Sequence, residues 1–270
     1  MTDTKSRVVL VTGAAGGIGA AITAALVGAG HSVAAVDRHA DALSRLNASA
    51  QIHPFLIDLS SESACQEAVA STVARFGRLD AVINNAGIGV SSLRPDAEVN
   101  LPSIEELTAE IWDNFFAINV RAPMLIVRAA LPHMRKGGFG RIINNTTSFR
   151  TMLRVLPYGA TKSALESMSA IWATELKPDG ITVNVLIPGG PTDTAFISDG
   201  AGWDRAKMLR PQIMGPPACW LVSDEAATYT GNRIIAAKWD AALPGAQAAA
   251  KAGRAIGWPE LSADAVWLQG

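Results

Sequence analysis

A glycine-rich segment near the start of the chain constrains its fold more than any other feature. Residues 7 to 11 form an apolar, β-type run, residues 12 to 19 read TGAAGGIG, and residues 20 to 27 are apolar and helix-forming. Glycines between a strand and a helix let backbone N–H groups approach a pyrophosphate, whose charge the helix N-terminus then stabilises. Without further context, such glycines often mark only a tight turn. The candidate pyrophosphate-binding residues are Gly13, Gly17, Ile18 and Gly19.

The residues that follow provide this context. Residues 31 to 37, HSVAAVD, form a second strand-like run ending in Asp37, 18 residues beyond Gly19 and near the ~20 expected for a ribose-binding carboxylate. A carboxylate there hydrogen-bonds the 2′-hydroxyl of NAD and repels the 2′-phosphate of NADP, and residues 14 to 16 contain no basic residue. We therefore predict NAD as the cofactor, although Arg38 could partly accommodate a 2′-phosphate.

Seven strand-like runs alternate with helical stretches along the chain. They span residues 7 to 12, 32 to 36, 52 to 57, 79 to 84, 140 to 146, 181 to 187 and 232 to 237. This alternation is typical of an α/β fold with a doubly wound parallel sheet, and apolar runs are expected where helices cover both sheet faces. A length of 270 residues permits one or two domains, but the pattern predicts one, with residues from about 241 to 270 as a C-terminal extension.

Tyr158 and Lys162 lie four residues apart in the sequence YGATK and would share one helix face. An ordinary phenol titrates near ~10 and an ordinary ammonium near ~10.4, so neither alone transfers protons easily at neutral pH. At about 4 Å and an effective dielectric of about 20, their attraction is on the order of 4 kcal/mol, which would lower the tyrosine pKa substantially. The pair is thus a candidate acid/base unit, although a lone Y-x-x-x-K spacing more often has no function.

Together these motifs resemble the short-chain dehydrogenase/reductase family from about residue 7 to 240. The matching pieces are TGAAGGIG at 12 to 19, Asp58, NNAG at 84 to 87, Asn119, GRIINNTTS at 140 to 148, YGATK at 158 to 162 and NVLIPGG at 184 to 190. Each piece is short, but their order and spacing are specific. The resemblance implies a Rossmann-type oxidoreductase that moves a hydride between nicotinamide and a carbonyl or alcohol carbon.

The resemblance also implies roles for individual residues. Tyr158 would be the general acid/base, Lys162 would hold the nicotinamide ribose and lower the tyrosine pKa, and Asn119 would anchor a water that relays protons. Asp58 and Leu59 would face the adenine. The residues implied beside the adenosine ribose are Asn85, Ala86 and Gly87, and those implied beside the nicotinamide are Pro188, Gly189 and Thr192.

The chain departs from the family at the end of the fifth strand, where it reads Thr146, Thr147, Ser148. Thr147 falls on the position of the family's catalytic serine, and Ser148 could replace it if the strand ends in a bulge. Either hydroxyl could hydrogen-bond the substrate oxygen, and we favour Thr147. At an isolated strand end, such threonines would simply be β-forming residues.

The pocket and the partners are less constrained by the sequence. Three segments should frame the pocket: residues 88 to 106, 149 to 157 and 190 to 214. Arg150 and Arg154 could bind an acidic group there or point to solvent. Apolar stripes on the helices from about 108 to 135 and 158 to 176 predict a homodimer or homotetramer, with burial against the sheet as the alternative. The aromatic tail with Trp258 and Trp267 could cover a neighbouring subunit's pocket or pack on its own domain.

Composition excludes several other classes. A net charge of −1 gives no electrostatic case for a nucleic acid or an anionic membrane, and no uninterrupted run of ~18 apolar residues occurs. Two cysteines, Cys65 and Cys219, and an N-terminus unlike a signal peptide suggest a reduced, cytoplasmic setting. The four histidines lack metal-ligand spacing, so we expect no metal site.

The sequence therefore favours an NAD-dependent dehydrogenase or reductase acting on a small secondary alcohol or ketone. One alternative is a 3-oxoacyl reductase for carrier-bound thioesters, which Asp37 disfavours because such biosynthetic reductions usually use NADPH. The other is a non-catalytic binding or regulatory protein of the same fold. Such a protein would have no need of Asn119, Tyr158 and Lys162 together.

Overall fold

One eight-stranded sheet runs through the molecule. The structure is a computed structural model that describes residues 5–46 and 49–262. The strands are β1 (Val8–Thr12), β2 (Ser32–Asp37), β3 (Ile52–Leu56), β4 (Ala81–Asn84), β5 (Gly140–Asn145), β6 (Ile181–Ile187), β7 (Asn232–Ile235) and β8 (Gly253–Ala255). Their order is β3-β2-β1-β4-β5-β6-β7-β8, and all neighbours pair in parallel except β7 and β8. The predicted doubly wound parallel sheet is confirmed.

Helices cover both faces of this sheet. They are α1 (Gly17–Gly28), α2 (Ala40–Ser44), α3 (Glu62–Phe76), α4 (Ala109–Phe116), α5 (Ala122–Gly137), α6 (Phe149–Met152), α7 (Tyr158–Glu175), α8 (Gly215–Val222), α9 (Gly245–Ala252) and α10 (Pro259–Ser262). Ile22 of α1 and Leu221 of α8 belong to the apolar core on one face. Val69 of α3, Ile126 of α5 and Ala173 of α7 belong to the core on the other face. The strand order reverses between β1 and β4, so the carboxyl ends of these strands form the crevice where ligands bind in such sheets.

The outer strands depart from the sequence expectation that all strands are covered on both faces. Strand β3 pairs only with β2, and Leu56 at its end is 62% exposed. An edge position also explains why Pro54, which has no N–H to donate, is tolerated within β3. Strand β8 was not predicted because its three residues, Gly-Arg-Ala, carry no β-type pattern. It forms through antiparallel pairing with β7.

The helical region from Ala109 to Gly137 is continuous, because the π-helical turn Ala117–Arg121 joins α4 to α5. By length and composition alone this helical stretch could cross a membrane, although the sequence contains no uninterrupted apolar run of that length. In the fold, half of its most apolar window is buried. Leu125, Ile126 and Ala130 pack in the core, so core packing accounts for its apolar side chains.

The described part of the C-terminal extension packs on its own chain. Helix α9 buries Ala248, Ala249 and Ala252, and β8 extends the sheet. Trp258 then stacks on Phe149, with ring centroids 5.4 Å apart. Trp258 and helix α9 therefore pack on their own domain, which is one of the two predicted alternatives. Trp267 lies outside the described residues.

Candidate active site

The glycine-rich turn is held tightly at the carboxyl end of β1. A Cβ atom at Gly19 would lie 1.9 Å from the carbonyl oxygen of Gly13, so the first turn of α1 packs directly on the turn. Gly13 has a φ of 62°, which favours glycine. Asn85, which follows β4, donates from Nδ2 to the carbonyl oxygens of Thr12 at 3.0 Å and Gly13 at 3.1 Å. The turn therefore has a fixed shape in which only glycine fits at these two positions.

Asp37 lies at the carboxyl end of β2 with its carboxylate facing the turn. Its Oδ2 accepts from the backbone N–H of Ala15 at 3.1 Å. Its Oδ1 accepts from the backbone N–H of His39 at 3.1 Å and lies 3.1 Å from the His39 ring Nδ1. A carboxylate offers about four acceptor positions, so one remains for a hydroxyl group. Arg38 is exposed beside it.

The other residues expected at the cofactor also lie along the carboxyl ends of the strands. Leu59 is buried, and Asp58 accepts from the backbone N–H of Ser60 at 3.0 Å. Ala86 donates its backbone N–H to Thr12 Oγ1 at 3.0 Å. Gly87 lies between Asn119 and Lys162, since a Cβ there would be 3.1 Å from Asn119 Oδ1 and 3.5 Å from Lys162 Nζ.

The segment after β6 approaches the glycine-rich turn through a residue that the sequence did not single out. Pro188 and Gly189 follow β6 directly, and Gly189 has a φ of 101°. Thr192 is buried, with Oγ1 donating to the carbonyl oxygen of Gly190 at 3.2 Å. Thr194 instead contacts the turn, because a Cβ on Gly17 would lie 2.6 Å from its Cγ2. No local pattern marks this contact, which joins residues far apart in the chain.

Tyr158 begins α7 and meets Thr147 from the end of β5. Burial raises the pKa of Tyr158 above its ordinary value, and the nearby Thr147 hydroxyl lowers it by a smaller amount. A hydroxyl that donates to a phenolate favours the charged form. The geometry thus brings the favoured hydroxyl, Thr147, against the candidate acid/base.

The Lys162 ammonium is held by a backbone carbonyl group, a contact that the sequence did not predict. Its Nζ donates to the carbonyl oxygen of Asn145 at 2.8 Å and lies 5.6 Å from the centroid of the Tyr158 ring. Burial dominates the pKa of Tyr158, and the lowering by Lys162 that the sequence predicted does not outweigh it. Burial also lowers the pKa of Lys162 itself to about 8.

Ser148 has a structural task. Its Oγ accepts from the backbone N–H of Thr151 at 3.1 Å and lies 2.9 Å from Thr151 Oγ1. It is the N-cap of α6. The Ser148 hydroxyl thus already has partners at the end of α6, while the choice between Thr147 and Ser148 as the group that meets a substrate oxygen stays a prediction.

Asn119 lies in the π-helical turn and is fully buried. Its Oδ1 accepts from the backbone N–H of Ile88 at 2.9 Å. Its Nδ2 donates to the carbonyl oxygen of Ile88 and to Thr161 Oγ1, both at 3.0 Å. Thr161 in turn donates to the carbonyl oxygen of Tyr158 at 2.7 Å. Asn119 thus joins the loop after β4 to the first turn of α7, and both of its amide donors are used.

The loop after β6 also covers the candidate site, which the sequence predicted only as a segment. Phe196 lies 5.6 Å from Tyr158 between ring centroids and contacts Gly89, where a Cβ would be 2.5 Å from its ring. Ser91 donates from Oγ to the Phe196 carbonyl oxygen at 2.8 Å. Ion pairs of Asp193 with Arg205 and Arg210 brace this loop. Phe196 therefore forms an apolar wall beside the Tyr158 ring.

The two arginines expected at the entrance, Arg150 and Arg154, are both exposed. Met152 between them is buried, and Leu153 is 80% exposed. This arrangement corresponds to the alternative in which the arginine side chains reach solvent.

Several known proteins are similar to this chain in sequence. A family model described as short chain dehydrogenase matches residues 7–201. The chain is 30% identical over 252 residues to a D-threitol dehydrogenase of Mycolicibacterium smegmatis, covering 85% of this chain and 90% of that protein. It is 32% identical over 246 residues to an L-fucose dehydrogenase of Oryctolagus cuniculus, covering 85% and 83%.

Solved structures are similar as well. A crystal structure of a 3-ketoacyl-(acyl-carrier-protein) reductase from Brucella melitensis, complexed with NADH, superposes with a TM-score of 0.70 at 26% identity. The match covers 83% of this chain and 93% of that one. A short-chain dehydrogenase/reductase mutant from Serratia marcescens gives a TM-score of 0.70 at 29% identity, covering 83% and 93%.

Proposed function

Because this chain belongs to the short-chain dehydrogenase family and is an oxidoreductase by that membership, we propose that it is an NAD(H)-dependent dehydrogenase of secondary alcohols and the corresponding ketones. The observation that carries the proposal is that Tyr158, the buried Lys162 and Thr147 lie together. Lys162 Nζ is 5.6 Å from the centroid of the Tyr158 ring, and the Thr147 hydroxyl is close enough to lower the pKa of Tyr158. Two relatives are named as dehydrogenases of a polyol and a sugar, which supports small polyhydroxy compounds as the first substrates to test.

The residues present fit a nicotinamide dinucleotide. The close packing of Gly19 on Gly13 holds the N-terminus of α1 against the turn after β1, the arrangement that supports a pyrophosphate at a helix N-terminus. Asp37 keeps one acceptor position for a ribose hydroxyl, which supports NAD over NADP. Lys162 would lie at the nicotinamide ribose. When bound, the nicotinamide supplies or accepts the hydride.

The side chains of the site would handle the proton. Oxidation of a secondary alcohol removes a hydride from carbon and a proton from oxygen. Tyr158 takes that proton when it is deprotonated, while Thr147 donates a hydrogen bond to the same substrate oxygen. In the reverse direction, Tyr158 returns the proton to the ketone oxygen. Its raised pKa keeps Tyr158 protonated at neutral pH, which suits the reductive direction.

A second candidate activity is the reduction of 3-oxoacyl thioesters. The similarity to the ketoacyl-carrier reductase from Brucella melitensis favours it. Exposed Arg150 and Arg154 beside the site could bind the phosphate of a carrier-bound substrate. Asp37 argues against this candidate, since it disfavours NADPH. A non-catalytic role is disfavoured by the complete set of Asn119, Tyr158 and Lys162.

We also propose assembly into a homodimer or homotetramer, in a cytoplasmic setting and without nucleic-acid or membrane partners. Trp112 on α4 is 39% exposed and Ile171 on α7 is 59% exposed, which supports these helices as the contact surface. Light scattering of wild type and Ile171→Glu checks this assembly, because a charge at a buried contact would shift the mass toward the monomer.

The test of the activity is a screen of polyols, sugars, secondary alcohols and ketones with NAD(H) and NADP(H), for wild type and Tyr158→Phe. We expect turnover by wild type and nearly complete loss in Tyr158→Phe with NADH binding retained, because only one hydroxyl is removed. Turnover by Tyr158→Phe within about tenfold of wild type would refute the assignment. Turnover of 3-oxoacyl thioesters alone would favour the second candidate.

A further inference from the structure

A buried ion pair lies directly behind the catalytic strand end. Glu166 on α7 is fully buried, and Arg233 on β7 is 4% exposed. Arg233 Nε lies 3.0 Å from Glu166 Oε1, an ionic contact in which the N–H is not aligned for a hydrogen bond. The proposed chemistry uses neither side chain.

The glutamate connects three parts of the chain. Its Oε2 accepts from Thr146 Oγ1 at 2.7 Å, at the end of β5. Its Oε1 accepts from the backbone N–H of Gly257 at 3.2 Å, in the segment after β8. Glu166 itself lies one helical turn beyond Lys162. The Glu166 carboxylate therefore joins the end of β5, helix α7 and the segment after β8.

The arginine reaches the catalytic residue itself. Arg233 Nη2 donates to the backbone carbonyl oxygen of Thr147 at 2.6 Å. Its guanidinium carbon lies 4.0 Å from the centroid of the Phe149 ring, on which Trp258 stacks. The Thr147 peptide is thus held by a charged, planar donor, while the Thr147 hydroxyl lies close enough to Tyr158 to lower the pKa of that phenol.

Stability alone is a weak reason to keep such a pair. Removing two charges from water carries a desolvation cost that their attraction often fails to recover, and apolar residues of similar volume are frequently as stable. What an ion pair adds is direction, because a guanidinium fork binds acceptors in a fixed plane. Here the guanidinium donates to the carbonyl oxygen of Thr147 and makes an ionic contact with the Glu166 carboxylate on α7.

We propose that Arg233 and Glu166 are positioning residues that orient the Thr147 hydroxyl toward Tyr158. The segment through Gly257 and Trp258 supports this ion pair, because Gly257 donates to Glu166 and Trp258 packs on Phe149. The proposal rests on the proposed dehydrogenase function. Arg233 holds the main-chain carbonyl of Thr147, and Glu166 accepts a hydrogen bond from the side chain of the neighbouring Thr146. The C-terminal extension therefore serves the active site of its own chain by closing over the pair.

The test compares Arg233→Lys with the double variant Glu166→Met/Arg233→Met. Lysine keeps the charge but cannot hold both acceptors, and the double variant removes both charges while keeping apolar volume. Arg141→Met is the matched control, because Arg141 is also buried in the sheet but lies at the opposite end of β5, where it donates to Gly140 and covers Phe139.

For both site variants we expect kcat to fall by about tenfold or more, since small misplacements of a reacting group have large effects on rate. NADH affinity and substrate KM should change by less than about threefold, which a general loss of structure would not produce. The acid limb of the kcat/KM profile for alcohol oxidation should move to higher pH, because in the free enzyme the Thr147 hydroxyl would lower the pKa of Tyr158 less. Arg141→Met should leave kcat and the pH profile unchanged.

A kcat and pH profile of Arg233→Lys like those of wild type would overturn the proposal. A double variant that fails to fold would also overturn it, because the pair would then be required for stability. If Tyr158→Phe is inactive while the Arg233 variants behave as wild type, only this inference fails. If Tyr158→Phe stays active, the proposed function itself fails.

Discussion

Replacing Gly19 by alanine should weaken cofactor binding through a steric conflict that the structure makes specific. The new Cβ would lie 1.9 Å from the carbonyl oxygen of Gly13 and 2.8 Å from Nδ2 of Asn85. Ordinary contact begins at 3.4 Å, so the start of α1 must move by about 1.5 Å relative to the turn. The turn cannot simply yield, because Asn85 holds its carbonyl groups.

Overpacking of this kind typically costs about 1–3 kcal/mol. For a chain of this size, such a cost corresponds to a loss of roughly 3–10 °C in Tm. The displacement also separates the backbone N–H groups from the pyrophosphate, so we expect the Kd for NADH to rise by about tenfold, or about 1.4 kcal/mol. Differential scanning fluorimetry measures the first effect, and titration of NADH fluorescence measures the second.

Gly28→Ala is the matched control, because Gly28 lies in the same helix and a Cβ there would meet nothing within 4 Å. We expect its Tm to be unchanged or raised, since alanine favours a helix over glycine. Equal Tm and Kd values for Gly19→Ala and Gly28→Ala would refute the reasoning that packing of α1 on the turn shapes the cofactor site.

Three further predictions concern the chemistry. Wild type should use NAD(H) at least about tenfold more efficiently than NADP(H), and Asp37→Ser should narrow this ratio; an unchanged ratio would mean that the carboxylate does not meet the ribose. Thr147→Val should lower kcat by on the order of 10²-fold, because it removes a preorganised donor, while Ser148→Ala should mainly shorten α6 and leave kcat within a few-fold. The reverse ranking in steady-state assays would transfer the role to Ser148. Ketone reduction should be nearly independent of pH below about 8 and decline above it, as Lys162, whose pKa burial lowers to about 8, loses its charge. A flat rate through pH 10 would contradict this assignment, given that ~10.4 is the ordinary lysine value.

Much of the fold followed from local sequence patterns. Strands β1 to β7 are apolar runs between helical stretches, and each was predicted within about two residues at its ends, which is the usual precision of such boundaries. Strand β8 was missed because its residues have no pattern of their own and pair only because β7 presents an open edge. The same holds for Trp258, whose stacking partner Phe149 lies in a distant part of the sequence.

The site shows a similar division. Tyr158 and Lys162 share a helix turn, so their proximity could be predicted, but the direction of the Tyr158 pKa could not. The charge of Lys162 is visible in the sequence. The burial of Tyr158 and the hydrogen bond from the ammonium to the carbonyl of Asn145 arise only in the fold. Arg233 and Glu166 are ordinary charged residues in the sequence. Only the fold places β7 one strand away from β5, so that Arg233 reaches across the end of β6 to Thr147.

The two outer strands of the sheet limit how copies of this chain can associate. Strand β3 contains Pro54, which offers no N–H to an incoming strand, and β8 is only three residues long with Arg254 and Ala255 exposed. Neither margin presents a continuous row of free backbone groups, the feature that drives edge-to-edge aggregation. Within the part of the chain that the structure describes, the outer strands therefore protect the sheet against edge-to-edge pairing of two copies.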